Sequence, residues 1–207
     1  MVKKVLLQAV LALALPMAAF ASGGIDFHNS GGTLSGGASG LSLTGSTLIG
    51  VTGLYGGPVA TNLGSVSFTT GALTSGNLQT GGWFAAGGTY TVVGNGTNGV
   101  PNGVIFSGAF SSPVEWTAKT NKLNGFVLGY VLSGTLSGTL SNGYSVSGVS
   151  SQVTFKATGG HKGYFMGTVT LASGDTAVVV PEPGTLSLFG TGLLGLAGLV
   201  RRKLNLV

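Results

Sequence analysis

Few side chains in this sequence could carry out acid–base, nucleophilic or metal chemistry. The 207 residues include two histidines, four carboxylic acids and no cysteine. Asp26 and His28 are separated by one residue, a spacing that puts both side chains on one face of a β-strand. We interpret this pair as a polar strand face, with metal binding or acid–base chemistry as the alternative use. His161 follows two glycines and precedes Lys162, which indicates a solvated turn.

The remaining carboxylates are too scattered to form a catalytic or calcium site. Asp175 follows Ser173 and Gly174, a pattern typical of a turn in which the Asp side chain caps its own backbone. Glu115 lies between two apolar residues and is expected to point outward, in a salt bridge with Lys119, Lys122 or Lys156. Calcium needs about six or more oxygen ligands, and neither a nucleophile elbow nor a phosphate loop occurs in the chain. We therefore expect no catalytic residues, no metal ligands and no cofactor, in a protein that is not an enzyme.

The charged residues are few and lie mainly near the two ends of the sequence. Only 6% of the residues are charged, and the formal net charge is +5. Lys3 and Lys4 lie at one end, Arg201, Arg202 and Lys203 lie at the other, and the bases between them are balanced by the acids. Residues 27–114 contain no Asp, Glu, Lys or Arg. Because a phosphate-binding face needs clustered cations, this pattern excludes nucleic acid as a partner.

Residues 1–21 have the features of a secretory signal peptide. Two lysines precede an apolar run from Val5 to Leu15, which is shorter than the roughly 20 residues that span a bilayer. Ala19 and Ala21 are the small residues that signal peptidase requires, which predicts cleavage before Ser22. We expect the protein to be exported.

Residues 181–203 combine three features of a signal directed to a membrane. In order, they are Pro181, Glu182 and Pro183, the uncharged stretch 184–200, and the basic cluster Arg201, Arg202 and Lys203, before a short tail at 204–207. A helix over 184–200 would be about 26 Å long, just short of the hydrocarbon core. The basic cluster should stay in the cytoplasm, so this short transmembrane helix would leave everything before Pro181 outside.

This order of features resembles the PEP-CTERM sorting signal. The resemblance rests on Val180-Pro181-Glu182-Pro183, on the glycine- and leucine-rich stretch after it, and on the Arg-Arg-Lys cluster. It implies an exported protein of a Gram-negative bacterium, membrane-inserted through its C-terminus and then processed near the Pro-Glu-Pro by a membrane exosortase. Its final location would be the cell envelope or the extracellular matrix. Some carriers of this tail are described as ice-binding proteins. A simple C-terminal membrane anchor that is never cleaved is the alternative.

Residues 22–180 have the composition and spacing of an all-β domain. The chain contains 40 glycines and no sustained 3.6-residue apolar stripe, which argues against helices. Period-two alternation appears at 65–69, 89–92 and 153–156. Asn-Gly pairs supply the positive φ values of tight hairpins, at Asn95-Gly96, Asn98-Gly99, Asn102-Gly103, Asn124-Gly125 and Asn142-Gly143. The pattern predicts an antiparallel β-sandwich, with a β-solenoid as the alternative.

Aromatic side chains are the expected core of this domain, because each buries a large apolar area. The set is Trp83, Phe84, Phe106, Phe110, Trp116, Phe126, Phe155 and Phe165. Residues 22–57 are mostly Gly, Ser, Thr and Leu, and their alternation favours a pair of edge strands over a mobile lead-in. Without cysteine, packing and hydrogen bonds must hold the domain together.

These residues indicate a non-catalytic protein of the cell surface or extracellular matrix. A neutral surface rich in Ser, Thr and Asn suits hydrogen bonding to polysaccharide, with Tyr55, Trp83 or Tyr144 as stacking platforms. A carbohydrate- or ice-binding module is the alternative, because Thr89-x-Thr91 and Thr168-x-Thr170 could place threonines on one face. A hydrolase whose site carries no recognisable motif is a third class. The expected partners are signal peptidase, an exosortase-type enzyme, the membrane before processing, and polysaccharide.

Overall fold

A computed structural model describes residues 24–156 and 163–179, which are folded mainly into β-strands. These residues contain no α-helix, and hence none long and apolar enough to span a membrane. The predicted signal peptide, the transmembrane helix over 184–200, the Pro181–Pro183 motif, the basic cluster and His161 all lie outside the described residues.

Glycine- and asparagine-rich turns separate the strands of the described chain. The strands are β1 (Gly24–Ser30), β2 (Thr33–Gly37), β3 (Gly40–Thr52), β4 (Val59–Thr69), β5 (Leu73–Asn77), β6 (Gly81–Phe84), β7 (Gly87–Asn95), β8 (Asn102–Phe110), β9 (Val114–Thr120), β10 (Val127–Leu140), β11 (Ser145–Lys156) and β12 (Thr168–Val179). Their pairings are all antiparallel, which confirms the prediction of an all-β antiparallel fold. Two of the predicted Asn-Gly turns connect β9 to β10 and β10 to β11, where Gly125 and Gly143 have φ values of 69° and 85°.

The strands form one hydrogen-bonded sheet that closes on itself. Pairing runs in the order β2-β3-β4-β7-β8-β10-β11-β12, and β12 then pairs with β2. A second path leads outward from β10 through β9 and β6 to β5. This differs from the expected sandwich, which has two separate sheets, and from the alternative solenoid, which stacks coils along a repeat. The physical reason is that strand-to-strand hydrogen bonding continues around the whole core.

The last described strand, β12, closes the sheet. It pairs with β11 on one side, and on the other side its first part pairs with β2 and its second part with β1. β1 and β2 also occupy successive parts of the same edge of β3, so they act as two halves of one interrupted strand. The outermost pair of the β1–β12 ladder is Gly24 and Val179, which brings the two ends of the domain side by side.

The structure differs from two predictions about the strands that close the sheet. The strands predicted within residues 22–57 are present as β1, β2 and β3, but they lie inside the sheet and not at its edge. Asp175 was predicted in a turn, and that prediction is wrong, because Asp175 lies in β12 between His28 of β1 and Gln152 of β11. The ladder overrides the local turn preference of the Ser-Gly-Asp sequence.

Buried aromatic rings fill the interior of the sheet in two contacting groups. One group consists of Phe27, Phe68, Tyr90, Phe106 and Phe110, and the other of Trp116, Tyr130, Phe155 and Phe165. Trp116 and Tyr130 stack with their ring centroids 4.5 Å apart. The same two side chains donate hydrogen bonds to the carbonyls of Leu78 and Gln79, so the β5–β6 turn covers this part of the core.

Three side chains differ from their predicted environment. Trp83 and Phe126 were expected in the core, but each is 45% exposed, whereas the other six predicted core aromatics are buried. Glu115 points outward as predicted, but its Oε1 accepts a hydrogen bond from the Thr117 hydroxyl at 3.0 Å. Among the described residues it has no ion pair with a lysine. The alternating pattern therefore predicted correctly that Glu115 faces outward, but it did not predict that its hydrogen-bond partner is Thr117.

A small polar cluster is buried among the aromatic rings. The Tyr90 hydroxyl lies 2.6 Å from the Thr176 hydroxyl, which is 3.3 Å from that of Ser151. These three residues belong to β7, β12 and β11, so their bonds cross the interior from one wall of the sheet to another. Burial raises the pKa of Tyr90, so the phenol stays protonated at neutral pH.

We predict that Tyr90→Phe lowers the free energy of unfolding by about 1 kcal/mol, because it removes a buried hydrogen bond and keeps the ring. Urea unfolding followed by fluorescence measures this difference. Tyr144→Phe is the matched control, since Tyr144 is 61% exposed and its loss of a hydroxyl should leave the stability unchanged. Equal stability of Tyr90→Phe and wild type would contradict this role for the cluster.

Candidate functional site

A groove with polar and apolar lining crosses the outer surface of β3, β1, β12 and β11. Its volume is about 580 Å³, and its lining includes His28, Asp175, Gln152 and Thr154. His28, Asp175 and Gln152 are register partners on adjacent strands, and opposite residues of antiparallel strands point to the same face. The closure of the sheet by β12 therefore creates this groove.

Three ionisable side chains meet at His28 and Asp175, two of the residues that line the groove. His28 Nδ1 lies 3.4 Å from Asp175 Oδ1. Asp26, on the same face of β1 as His28, completes a cluster in which one ligand atom of each residue lies within 4.8 Å of the others. Gly50 leaves room for the imidazole, because a Cβ there would come within 3.0 Å of the His28 ring. The sequence predicted that Asp26 and His28 share a face but gave no sign of Asp175, which lies far away along the chain.

The carboxyl group of Asp26 is in an unfavourable electrostatic environment. Burial raises its pKa above 3.8, and the negative charge of Asp175 raises it further, while His28 acts in the opposite direction. Asp26 Oδ1 is buried and has no hydrogen-bond partner among the residues that the structure describes. A proton or a cation would relieve the repulsion between the two carboxylates, and one imidazole with two carboxylates is a donor set that divalent metals accept. The cluster can therefore bind a proton or hold a cation.

A second groove surrounds the exposed tryptophan of β6. It has a volume of about 350 Å³ and is lined by Trp83, two adjoining glycines, and the polar residues Thr80, Glu115 and Thr117. Backbone approaches closely here, since a Cβ on Gly82 would meet the Ser75 carbonyl oxygen at 2.3 Å. The glycines beside Trp83 carry no side chain, and the half-exposed indole shares the groove with hydrogen-bonding groups.

Strand register connects the two grooves into one line of side chains, which we call the transverse row. Successive register partners run from Trp83 through Glu115, Ser133, Gln152 and Asp175 to His28. The row crosses six neighbouring strands, a path of about 24 Å at about 4.8 Å per strand. Its members are exposed or half-buried, so the row presents an aromatic ring at one end and polar groups along its length.

A different sector of the outer face carries hydroxyl groups and no charges. Five successive register partners there are Thr168, Ser35, Ser42, Thr69 and Thr89. The Thr69 and Thr89 hydroxyls are 3.0 Å apart. This line, the hydroxyl row, connects both of the Thr-x-Thr pairs singled out in the sequence, although β2, β3 and β4 lie between them in the sheet.

The other predicted stacking platforms lie apart from Trp83. Tyr144 is exposed in the β10–β11 turn, and the Tyr55 hydroxyl lies 2.9 Å from the Ser141 hydroxyl of that turn. The structure thus brings Tyr55 close to the turn that carries Tyr144. It places Trp83 alone on β6, on the outward path from β10.

We predict that Asp26→Asn stabilises the domain at neutral pH, because it removes a carboxylate whose charged form is disfavoured by burial. The raised pKa means that the folded state binds this proton more tightly than the unfolded state, so the wild-type stability should fall as pH rises from 3.8 through the raised value. The advantage of Asp26→Asn should vanish below 3.8, where both states are protonated.

Urea unfolding between about pH 3 and about pH 8 tests this dependence. Glu115→Gln is the control, since it neutralises an exposed carboxylate on β9. A stability advantage of Asp26→Asn that does not change with pH would contradict the electrostatic explanation.

Comparison with known proteins identifies the segment that follows β12. Residues 179–203 match the family model described as a PEP-CTERM protein-sorting motif. No curated protein and no solved structure matches the chain. The matched segment contains the predicted Pro-Glu-Pro, the uncharged stretch and the basic cluster. Such a motif is a sorting signal of exported proteins and implies membrane anchoring followed by exosortase processing. The chain therefore carries a PEP-CTERM sorting motif at residues 179–203.

Proposed function

We propose that this chain is an exported, non-catalytic protein of the cell surface or extracellular matrix that binds exopolysaccharide through the Trp83 groove. The exposed indole of Trp83 is the observation that carries the proposal. A tryptophan that is 45% exposed, in a domain that buries most of its aromatic rings, needs a reason, since its burial would contribute substantially to stability.

The surroundings of Trp83 suit a neutral sugar ring. The apolar face of a sugar can stack on an indole, while its hydroxyl groups need donors and acceptors at the edge of the ring. Thr80, Glu115 and Thr117 lie in the same groove and supply such groups. The glycines beside the indole leave no side chain that would block a ring lying flat on it.

The transverse row extends this surface toward a second set of hydrogen-bonding groups. Ser133 and Gln152 connect the Trp83 groove to the groove at His28 and Asp175. A linear polymer could follow such a line, whereas a single small ligand would occupy only one groove. Glu115 and Asp175 in the row favour a neutral polymer over an anionic one, because like charges would repel.

Export and sorting fit the same proposal. The sorting motif implies that the chain is exported and reaches the membrane before it is processed, so the domain would meet polymer outside the cell. The absence of catalysis is part of the proposal, and it rests on the scarcity of acids, bases and nucleophiles in the sequence. A fixed anchor that is never cleaved would leave the same domain on the cell surface.

We predict that Trp83→Ala weakens binding of the full chain to a neutral exopolysaccharide by about five- to tenfold, the loss expected for one stacking contact. Affinity electrophoresis or calorimetry with the purified polymer measures the change. Phe126→Ala is the matched control, because Phe126 is an equally exposed aromatic residue on another hairpin. Equal weakening by both variants, or none by Trp83→Ala, would contradict the proposed groove.

The hydroxyl row supports ordered-water or ice binding as a second candidate function. It is uncharged and spans five neighbouring strands, about 19 Å at about 4.8 Å per strand. Inhibition of ice recrystallisation by the wild type that is lost in Thr89→Tyr and kept in Trp83→Ala would favour this function over the groove.

We predict that the mature protein lacks both terminal segments. In a bacterium that carries an exosortase, intact-mass spectrometry should find a species that begins at Ser22 and has lost Arg201, Arg202 and Lys203. Replacement of Pro181, Glu182 and Pro183 by alanine should preserve the basic cluster and leave the protein in the membrane fraction. A wild-type mature protein that keeps the basic cluster would show that the segment is a permanent anchor.

A further inference from the structure

The hairpin between β9 and β10 exposes apolar side chains at its tip. Leu123 is 95% exposed, Leu128 is 62% exposed, and Phe126 is the half-exposed ring already described. Single exposed apolar residues are ordinary on a protein surface, but three on one short hairpin form a patch. The patch is distinct from both grooves and from the hydroxyl row.

Hydrogen bonds hold this tip in a defined shape. The side-chain oxygen of Asn121 accepts a bond from the Leu123 amide at 2.9 Å, and that of Asn124 accepts one from the Phe126 amide at 3.0 Å. The backbone amides of Asn121 and Gly125 complete the turn with bonds to the carbonyls of Phe126 and Asn121. The apolar side chains are therefore presented to solvent by an ordered turn.

Three lysines lie on this hairpin or on the strand beside it. Lys119 and Lys122 belong to the hairpin, and Lys156 of β11 faces it, because Lys119 and Lys156 are the register partners of Gly129 on its two sides. No ion pair involves these lysines in the part of the chain that the structure describes. Residues 116–174 contain no Asp or Glu, and Glu115, the carboxylate of β9, lies at the other end of that strand, so the charges at the hairpin tip are all positive.

We propose that the β9–β10 hairpin docks on the surface of an anionic lipid bilayer. Apolar side chains at an ordered tip can enter the interfacial region, while Lys119, Lys122 and Lys156 meet the acidic headgroups. A soluble polyanion would satisfy the lysines and leave Leu123 and Phe126 in water, so lipid accounts for both properties of the patch. The proposal does not depend on polysaccharide binding at Trp83.

The test uses the full chain, whose lack of cysteine permits a single fluorescent label. An environment-sensitive dye is placed on Thr120→Cys beside the hairpin, and on Thr61→Cys of β4 as the control, since β4 pairs with neither β9 nor β10. Both labelled proteins are reconstituted into vesicles of phosphatidylcholine alone and into vesicles that also contain about one third phosphatidylglycerol.

The dye at position 120 should shift to the emission of an apolar environment in the anionic vesicles and much less in the neutral ones, with no shift at position 61. Leu123→Ser with Phe126→Ser should abolish the shift, and because these side chains are exposed the fold is retained. Each of Lys119→Gln and Lys122→Gln should reduce the ratio of docked to undocked label about fivefold.

Three results would overturn the proposal. They are equal shifts at both labels, a shift that survives Leu123→Ser with Phe126→Ser, and a shift produced equally by a soluble polyanion. The first would indicate adsorption of the whole surface, and the other two would identify a purely electrostatic site for an acidic polymer.

Discussion

The pairing of β12 is the constraint on which the rest of this structure depends. One strand supplies hydrogen bonds to β1, β2 and β11, and without it the sheet would be open along two long edges. The same strand brings Asp175 to His28 and places Thr176 against Tyr90 inside the core. A domain without disulfides gains from this arrangement, because a closed sheet leaves fewer unpaired backbone groups to be satisfied by other means.

The sequence predicted strands and turns, which depend on neighbouring residues along the chain. It did not predict the contacts that form only when β12 closes the sheet. Alternating residues identified the strands, and the Asn-Gly pairs identified turns at Gly125 and Gly143, because φ is a local property. Trp83 was wrongly predicted to lie in the core. Alternation shows that two faces of a strand differ, but it does not show which face of a strand far from the closed ring packs against other residues. The partner of His28 could not be found either, since Asp175 reaches it only through the register of β1 with β12. The hydroxyl row is a similar case. Its two threonine pairs were recognised in the sequence, but the strands that connect them in the sheet were not.

The outer face of the domain is divided into sectors of different chemistry by the uneven distribution of charge. Residues 27–114 contain no Asp, Glu, Lys or Arg, so the hydroxyl row on β2, β3, β4 and β7 lies in a sector without acidic or basic side chains. The transverse row is acidic at Glu115 and Asp175, and the β9–β10 hairpin is basic and apolar. Because the body is close to neutral as a whole, no long-range field dominates. Each sector can therefore contact a different kind of material, such as hydrated polymer, ordered water or lipid.

The adjacency of Gly24 and Val179 imposes an order of events on an exported chain that emerges N-terminus first. β1 and β2 leave the channel at the start, yet their second neighbour is the final strand of the domain, so the ring stays open until nearly the whole domain is outside. Closure then requires contact between the two ends of the domain, which is entropically costly and slow compared with forming hairpins. The sorting motif overlaps the last residue of β12. The strand that closes the ring and the sorting motif are therefore adjacent in the chain, so the fold can be completed only when the residues next to the motif are free to pair.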